Sequence, residues 1–135
     1  MIVFLDACAI IYWMEGAAPW FERLDHRLRE LRATYDDPPV AVSALSRLEC
    51  RAKPMRDKNI ALLNRYDQFF AQPQLLVVPI SDQVLETATR LRADAGLAAP
   101  DAIQAASALS LADECKFVTN DNGIKAVPGL EIVRF

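Results

Sequence analysis

The chain predicts an α/β fold: a three-layer sandwich with a mainly parallel central sheet flanked by helices. Three observations carry that expectation. Short runs rich in strand formers recur at residues 2–5, 40–42, 75–80, 116–119 and 131–135. Between them lie segments with apolar residues three and four apart, the spacing of one helix face. The first run, Ile2-Val3-Phe4-Leu5, has no polar residue, as a strand buried on both faces requires. Strands alternating with helices in this way build a parallel sheet covered on both sides.

With 135 residues the chain fits one domain, 1–135, long enough to bury a core. Hydrophobic residues make up 53% and charged ones 24%, which excludes a disordered polyelectrolyte. A net charge of -3 and a pI near 5.1 give no global basic field, so any nucleic-acid contact must rest on a local patch or on metal ions. Cys8, Cys50 and Cys115 are odd in number and too dispersed for a paired-cysteine zinc site, and read as free thiols of a reducing cytosol. The first residues lack a basic n-region and carry Asp6 inside the apolar stretch, unlike a signal peptide. No apolar run approaches the roughly 18 residues of a membrane span. The expected compartment is the cytoplasm, without a membrane partner.

The run 2–5 ends at Asp6, and residues 7–13 read as the entry to a short apolar helix. Asp6 therefore marks the carboxyl end of a central strand, where open α/β sheets bind ligands. A carboxylate there is costly to desolvate without a proton, a donor or a metal. Capping the following helix is the alternative reading. After Gly16, Pro19 opens a helix over 19–33, with Trp20, Leu24, Leu28 and Leu31 on one stripe. Its other side mixes Arg23, Arg27 and Arg29 with acids, a solvated face; Trp13, Trp20 and Phe21 also make it a candidate partner surface. His26, the only histidine, has no matching ligand and receives no catalytic role.

Residues 36–39 form a turn, and Ser43 is expected to cap a helix over 43–53. On that helix Leu45, Leu48, Glu49 and Ala52 share a face, which puts Glu49 on the apolar side. A salt bridge to an arginine is the ordinary explanation of such an acid; a metal or a reacting group is the sharper one. Pro54 is expected to break the helix, and residues 55–72 to form the next with Leu62, Leu63, Tyr66, Phe69 and Phe70 inward. From 47 to 58 the chain is distinctly basic, and Arg47, Arg51 and Lys53 are its candidates for touching phosphates.

The run 75–80 predicts a second buried strand. Ser81 then caps a helix to residue 95, with Val84, Leu85, Ala88 and Leu91 inward, and Gly96 ends it. Over 97–114, Pro100 suits the first helical position and Asp101 the first turn, where a negative charge meets the positive end of the helix dipole. The alanine-rich body of that helix allows close packing on the sheet. Strand 116–119 runs straight into Asn120, Asp121, Asn122 and Gly123, again an acid after a strand, in a stretch that suits a plain turn.

Asp6 and Asp121 thus belong to strand ends, Asp101 opens a helix, and Glu49 lies one to two turns into another. Parallel topology brings all four toward one edge of the sheet. Such a cluster repels itself unless a divalent cation resolves it, and hard carboxylate oxygens suit Mg2+ or Mn2+. A metal so held activates water and stabilises a phosphate leaving group.

The stations Asp6, Glu49 in SRLEC, Asp101 in PDAIQAASAL and Asp121 in FVTND resemble the four acidic positions of PIN-domain nucleases. Within that family, the length and the phrase SALSRLECRAKP look most like VapC-type toxins of bacterial toxin–antitoxin pairs. The resemblance spans essentially the whole chain. It implies a metal-dependent endoribonuclease, with Asp6, Glu49, Asp101 and Asp121 as metal ligands or ligand-orienting groups. Thr119 and Asn120 match the polar positions that support the last acid. RNA is then the substrate touched by Arg47, Arg51 and Lys53, an antitoxin protein is a partner, and the chain pairs with itself. Cys8 departs from the serine, threonine or asparagine common in the family and receives no site role. Two other readings are a catalytically silent module that binds RNA or protein, and a haloacid-dehalogenase-like phosphatase. The second needs another acid two residues after Asp6, where this chain has Cys8.

Overall fold

The computed structural model describes residues 1–135. The unbroken run at the amino end forms β1 (Ile2–Leu5), the middle strand of a five-stranded sheet ordered β3-β2-β1-β4-β5. Its neighbours are β2 (Val40–Ser43) and β4 (Cys115–Val118), with β3 (Leu76–Val78) and β5 (Glu131–Val133) at the edges. Every pairing is parallel. All four residues of β1 are buried, because both faces of the strand are covered.

The pleat sends alternate side chains of β1 to two cores. Val3 and Leu5 pack with α1 (Ala7–Glu15), α2 (Trp20–Tyr35), α3 (Leu45–Arg56) and α4 (Ile60–Phe70). Ile2 and Phe4 meet Phe117 and the helix α6 (Ala99–Leu109) on the other face, where the Phe4 and Phe117 rings stack at 5.4 Å and 12°. Outside α6 lies α5 (Asp82–Ala95), joined to it through Ala88, Ala102, Ala105 and Ala106. Small side chains let these two helices approach closely. The architecture is the expected three-layer α/β sandwich.

Several local expectations are corrected. Pro54 lies inside α3 rather than ending it. Near the carboxyl end of a helix its ring removes one backbone bond, and here it is buried, so α3 runs on to Arg56. The buried face of α3 is Ser46, Cys50 and Pro54; Leu48 is 65% exposed and Ala52 is also outside. Glu49 therefore stands at the margin of the core, not within it. Ser43 closes β2 instead of capping α3, although its hydroxyl accepts the Leu45 N–H at 3.1 Å. Strand β3 is an edge strand, which leaves Leu76 and Ile80 exposed, and Leu85 of α5 points outward as well. Trp13 and Phe21 pack together at 5.3 Å, and Tyr12 on Trp20 at 5.8 Å. These aromatics, all half-buried, zip α1 to α2. Arg51 pairs with Asp67 at 2.9 Å and so ties α3 to α4.

Phe117→Ala, which removes one ring of the stacked pair, is expected to lower unfolding free energy by about 3–5 kcal/mol in urea titration. Leu48→Ala, at an exposed position, should stay within about 0.5 kcal/mol of the parent.

Candidate functional site

The strand order reverses at β1: the chain builds β2 and β3 on one side and β4 and β5 on the other. The crevice between the carboxyl ends of β1 and β4 is thus the switch point of the sheet. Leu5 is paired with Val118, so the next residues, Asp6 and Thr119, emerge side by side. The Thr119 hydroxyl donates to Asp6 Oδ2 at 2.7 Å and accepts the Asp121 N–H at 3.0 Å. One hydroxyl therefore connects two acids from opposite ends of the chain. Asp6 Oδ1 accepts the Ala7 N–H at 2.8 Å, so the residue also caps α1. Capping and site membership are compatible here, because each uses a different oxygen.

Asp6 is only 4% exposed. Burial raises its pKa above 3.8, the bonds from Thr119 and Ala7 oppose that rise, and the charge on Asp121 adds to it. Cys8 lies 3.7 Å from Asp6 Oδ2 and receives the Asn120 N–H at 3.5 Å. Burial, with Asp6 beside it, pushes this thiol up to about 11, so it remains neutral. Asn120 thus meets the site through its backbone.

Asp101 stands in the first turn of α6, where Pro100 is the second helical residue rather than the first. Its carboxyl comes within hydrogen-bonding reach of Asp121. Burial first, then that bond and the charges on Asp121, Asp6 and Glu49, push Asp101 up to about 6. Asp121 itself is held by the Gly123 N–H, 2.8 Å from Oδ1. A Cβ on Gly123 would lie 2.6 Å from Asp101 Oδ2 and 3.1 Å from Asp121 Oδ1. Glycine is needed there because the two carboxyl groups occupy the space of a side chain.

Glu49 approaches from α3. Gln104 of α6 donates to its Oε1 at 2.8 Å and to Ser46 Oγ at 3.0 Å. Burial raises the Glu49 pKa, the Gln104 bond lowers it, and the charges on Asp6 and Asp121 raise it further. All four acids thus feel one another at one edge of the sheet. No lysine, arginine or histidine forms an ion pair with any of them. The nearest guanidinium bond is made by Arg134, which donates to the Asp121 backbone carbonyl at 3.0 Å and pins the loop.

This donor set fits a hard divalent cation: hydrogen-bonded carboxylates, crowded enough to hold a proton, without a positive side chain. No group of three or more His, Cys, Asp or Glu side chains is disposed to hold a metal ion. A cation that binds through one or two carboxylates and completes its shell with water needs no such group.

Gln104 and Gly123 escaped the sequence reading. The signal for Gln104 was a lone amide in an alanine-rich helix, one turn after Asp101; Gly123 looked like turn chemistry. Of the basic candidates, Arg47 and Lys53 are exposed on α3, whereas Arg51 is committed to Asp67. Away from the acids, a groove of about 900 Å³ runs between α2 and α4. Trp13, Leu28 and Phe69 line it, with Arg29, Arg32 and Arg65 at its rim.

A search of curated protein sequences returns no match. Among solved structures, the chain is similar to VapBC2 from Rickettsia felis, in a complex bound to a DNA fragment from their promoter. That alignment has 21% identity, covers 99% of this chain and 98% of the other, and gives a TM-score of 0.71. A toxin–antitoxin complex from Klebsiella pneumoniae aligns at 19% identity over 95% and 94% of the two chains, again with a TM-score of 0.71. At such identities the likeness concerns the fold. The family model for the PIN domain matches residues 3–130, so the chain belongs to the PIN-domain family.

Proposed function

We propose that this protein is a metal-dependent endoribonuclease and the toxin of a type II toxin–antitoxin pair. The observation that carries the reading is the convergence of four carboxylates without a cationic partner from the chain. In this reading one or two of Asp6, Asp101 and Asp121 bind Mg2+ or Mn2+ directly, and the remaining acids, Glu49 among them, act on it through water. Bound there, the ion supplies Lewis-acid activation of the phosphodiester and of the attacking water. Thr119 and Gly123 fix the directions of Asp6 and Asp121. Glu49 has one oxygen on Gln104 and no hydrogen bond on the other, which leaves that oxygen available to take a proton. Arg47 and Lys53 lie on the helix that carries Glu49 and contact the RNA backbone; Lys53 is one turn from it.

Likeness to two toxin–antitoxin complexes supports an antitoxin partner, and the α2–α4 groove offers it apolar side chains beside the Arg29–Asp25 and Arg32–Asp37 ion pairs. Self-association into a dimer belongs to the same proposal. Co-expression with the product of the adjacent open reading frame should give a complex that copurifies. Light scattering at micromolar concentration should report a dimer, and a monomer there excludes that half.

The catalytic claim predicts that purified protein cuts RNA with Mg2+ or Mn2+ and stops in EDTA. Asp6→Asn should lose about 10²–10³-fold of the rate, the scale for removing one charge-stabilising group. RNA cleavage that persists in EDTA overturns the reading.

The raised Asp101 pKa makes a stability prediction. Its folded value of about 6 exceeds the ordinary 3.8, so between them the folded state binds more protons than the unfolded one. Metal-free stability contributed by this group is full below the lower value and is lost as pH rises through about 6. Asp101→Asn should therefore melt at or above the parent in EDTA at pH 7.5, and the difference should shrink toward pH 4. Added Mg2+ should raise the parent's melting temperature more than the variant's. A variant that melts well below the parent in EDTA makes Asp101 a structural helix-start residue.

A further inference from the structure

We infer that Gln104 is a positioning residue for Glu49: its carboxamide, buried between α3 and α6, fixes how Glu49 faces the three aspartates. The inference rests on the proposed metal-dependent reading and assigns a residue to it from outside the acidic set. Glu49 is half-buried at the margin of α3, beside Leu48, which is 65% exposed. The hydrogen bond from Gln104 is the anchor it has.

Gln104 itself is 1% exposed on a helix face otherwise built of alanine and serine. Both hydrogens of its amide nitrogen are used, one on Glu49 and one on Ser46, a turn earlier on α3. Its carbonyl oxygen, also buried, has no partner. A leucine or methionine would fill this volume without an orphaned acceptor. Turning the amide over would set that oxygen against a carboxylate, so the charge on Glu49 selects the orientation seen. One turn further along α6, the Ser107 hydroxyl donates to the Ile103 carbonyl at 2.7 Å and lies 3.1 Å from Ser43 Oγ, a second buried rung between α6 and the β2–α3 junction. That rung ties α6 to the end of β2, whereas the bonds from Gln104 tie the helix that carries Asp101 directly to the one that carries Glu49. Gln104 thereby sets the relation between two acids that lie on different elements.

The test compares Gln104→Met with Ser107→Ala, whose side chain touches none of the four acids. Mn2+ binding is followed by electron paramagnetic resonance of the free ion, RNA cleavage is measured against Mn2+ concentration, and the Gln104→Met structure is determined. Gln104→Met is expected to fold, to turn the Glu49 carboxylate away from the aspartates, and to weaken Mn2+ affinity about 10–100-fold, the usual scale for an outer-shell partner. Ser107→Ala should bind Mn2+ like the parent. An unmoved Glu49, a Gln104→Met affinity within twofold of the parent, or an equal loss in Ser107→Ala overturns the inference. If Gln104→Met does not fold, Gln104→Asn, whose amide falls a methylene short of Glu49, gives the same readouts. A parent protein that binds no Mn2+ instead overturns the metal reading. The variant structure tells the two apart, because Glu49 still turns away there if Gln104 holds it.

Discussion

Mutual repulsion among Asp6, Glu49, Asp101 and Asp121 at one edge of the sheet is the constraint around which the remaining structure is arranged. The chain holds these carboxylates with neutral donors: the Ala7 and Gly123 N–H groups, the Thr119 hydroxyl and the Gln104 amide. Neutral donors fix direction without cancelling charge. An arginine or lysine in the same places would lower the repulsion and fill the space a cation needs. The protein instead commits its positive side chains elsewhere: Arg51 to Asp67, Lys116 to Glu114 and Glu131, and Arg134 to backbone carbonyls.

The fold makes that crowding possible at modest cost. All five strands run the same way, so their carboxyl ends share an edge, and the acids enter from β1, from the loop after β4 and from the starts of α3 and α6. Ala108 packs α6 against Ile2, Phe4 and Phe117 of the sheet with no bulky side chain between them. On the opposite layer, Tyr66 is fully buried and donates to Glu15 at 2.5 Å, anchoring α4 to the end of α1. Rigid elements on both sides keep a self-repelling site from relaxing.

Much of this was legible in the residue pattern. The unbroken run at 2–5 suited a strand buried on both faces, which set the acid directly after it at the carboxyl edge of the sheet, with helix capping as the alternative reading. Asp121 was readable for the same reason. Glu49 was placed on the right helix but on the wrong part of its face, because helical spacing ranks Leu48 and Ala52 as apolar whether or not anything covers them. Pro54 misled for a local reason: one lost backbone bond is affordable when the ring is buried. Gly123 and Gln104 were not legible, since their importance is a matter of distance across 20 to 60 residues of chain. No periodicity encodes the gap between a missing Cβ and two carboxyl groups.

The bond between Asp6 and Thr119 joins residues 113 positions apart. Synthesis runs from the amino end, so Asp6 is made long before its partner. Any nascent fragment that stops before residue 115 lacks the Thr119 hydroxyl, Asp121, Gly123 and β4, one of the two strands beside β1. Such a fragment has an incomplete central sheet and exposes one side of its most apolar strand. Long-range strand pairing of this kind also closes slowly. The four acids are therefore brought together only once synthesis has passed Gly123.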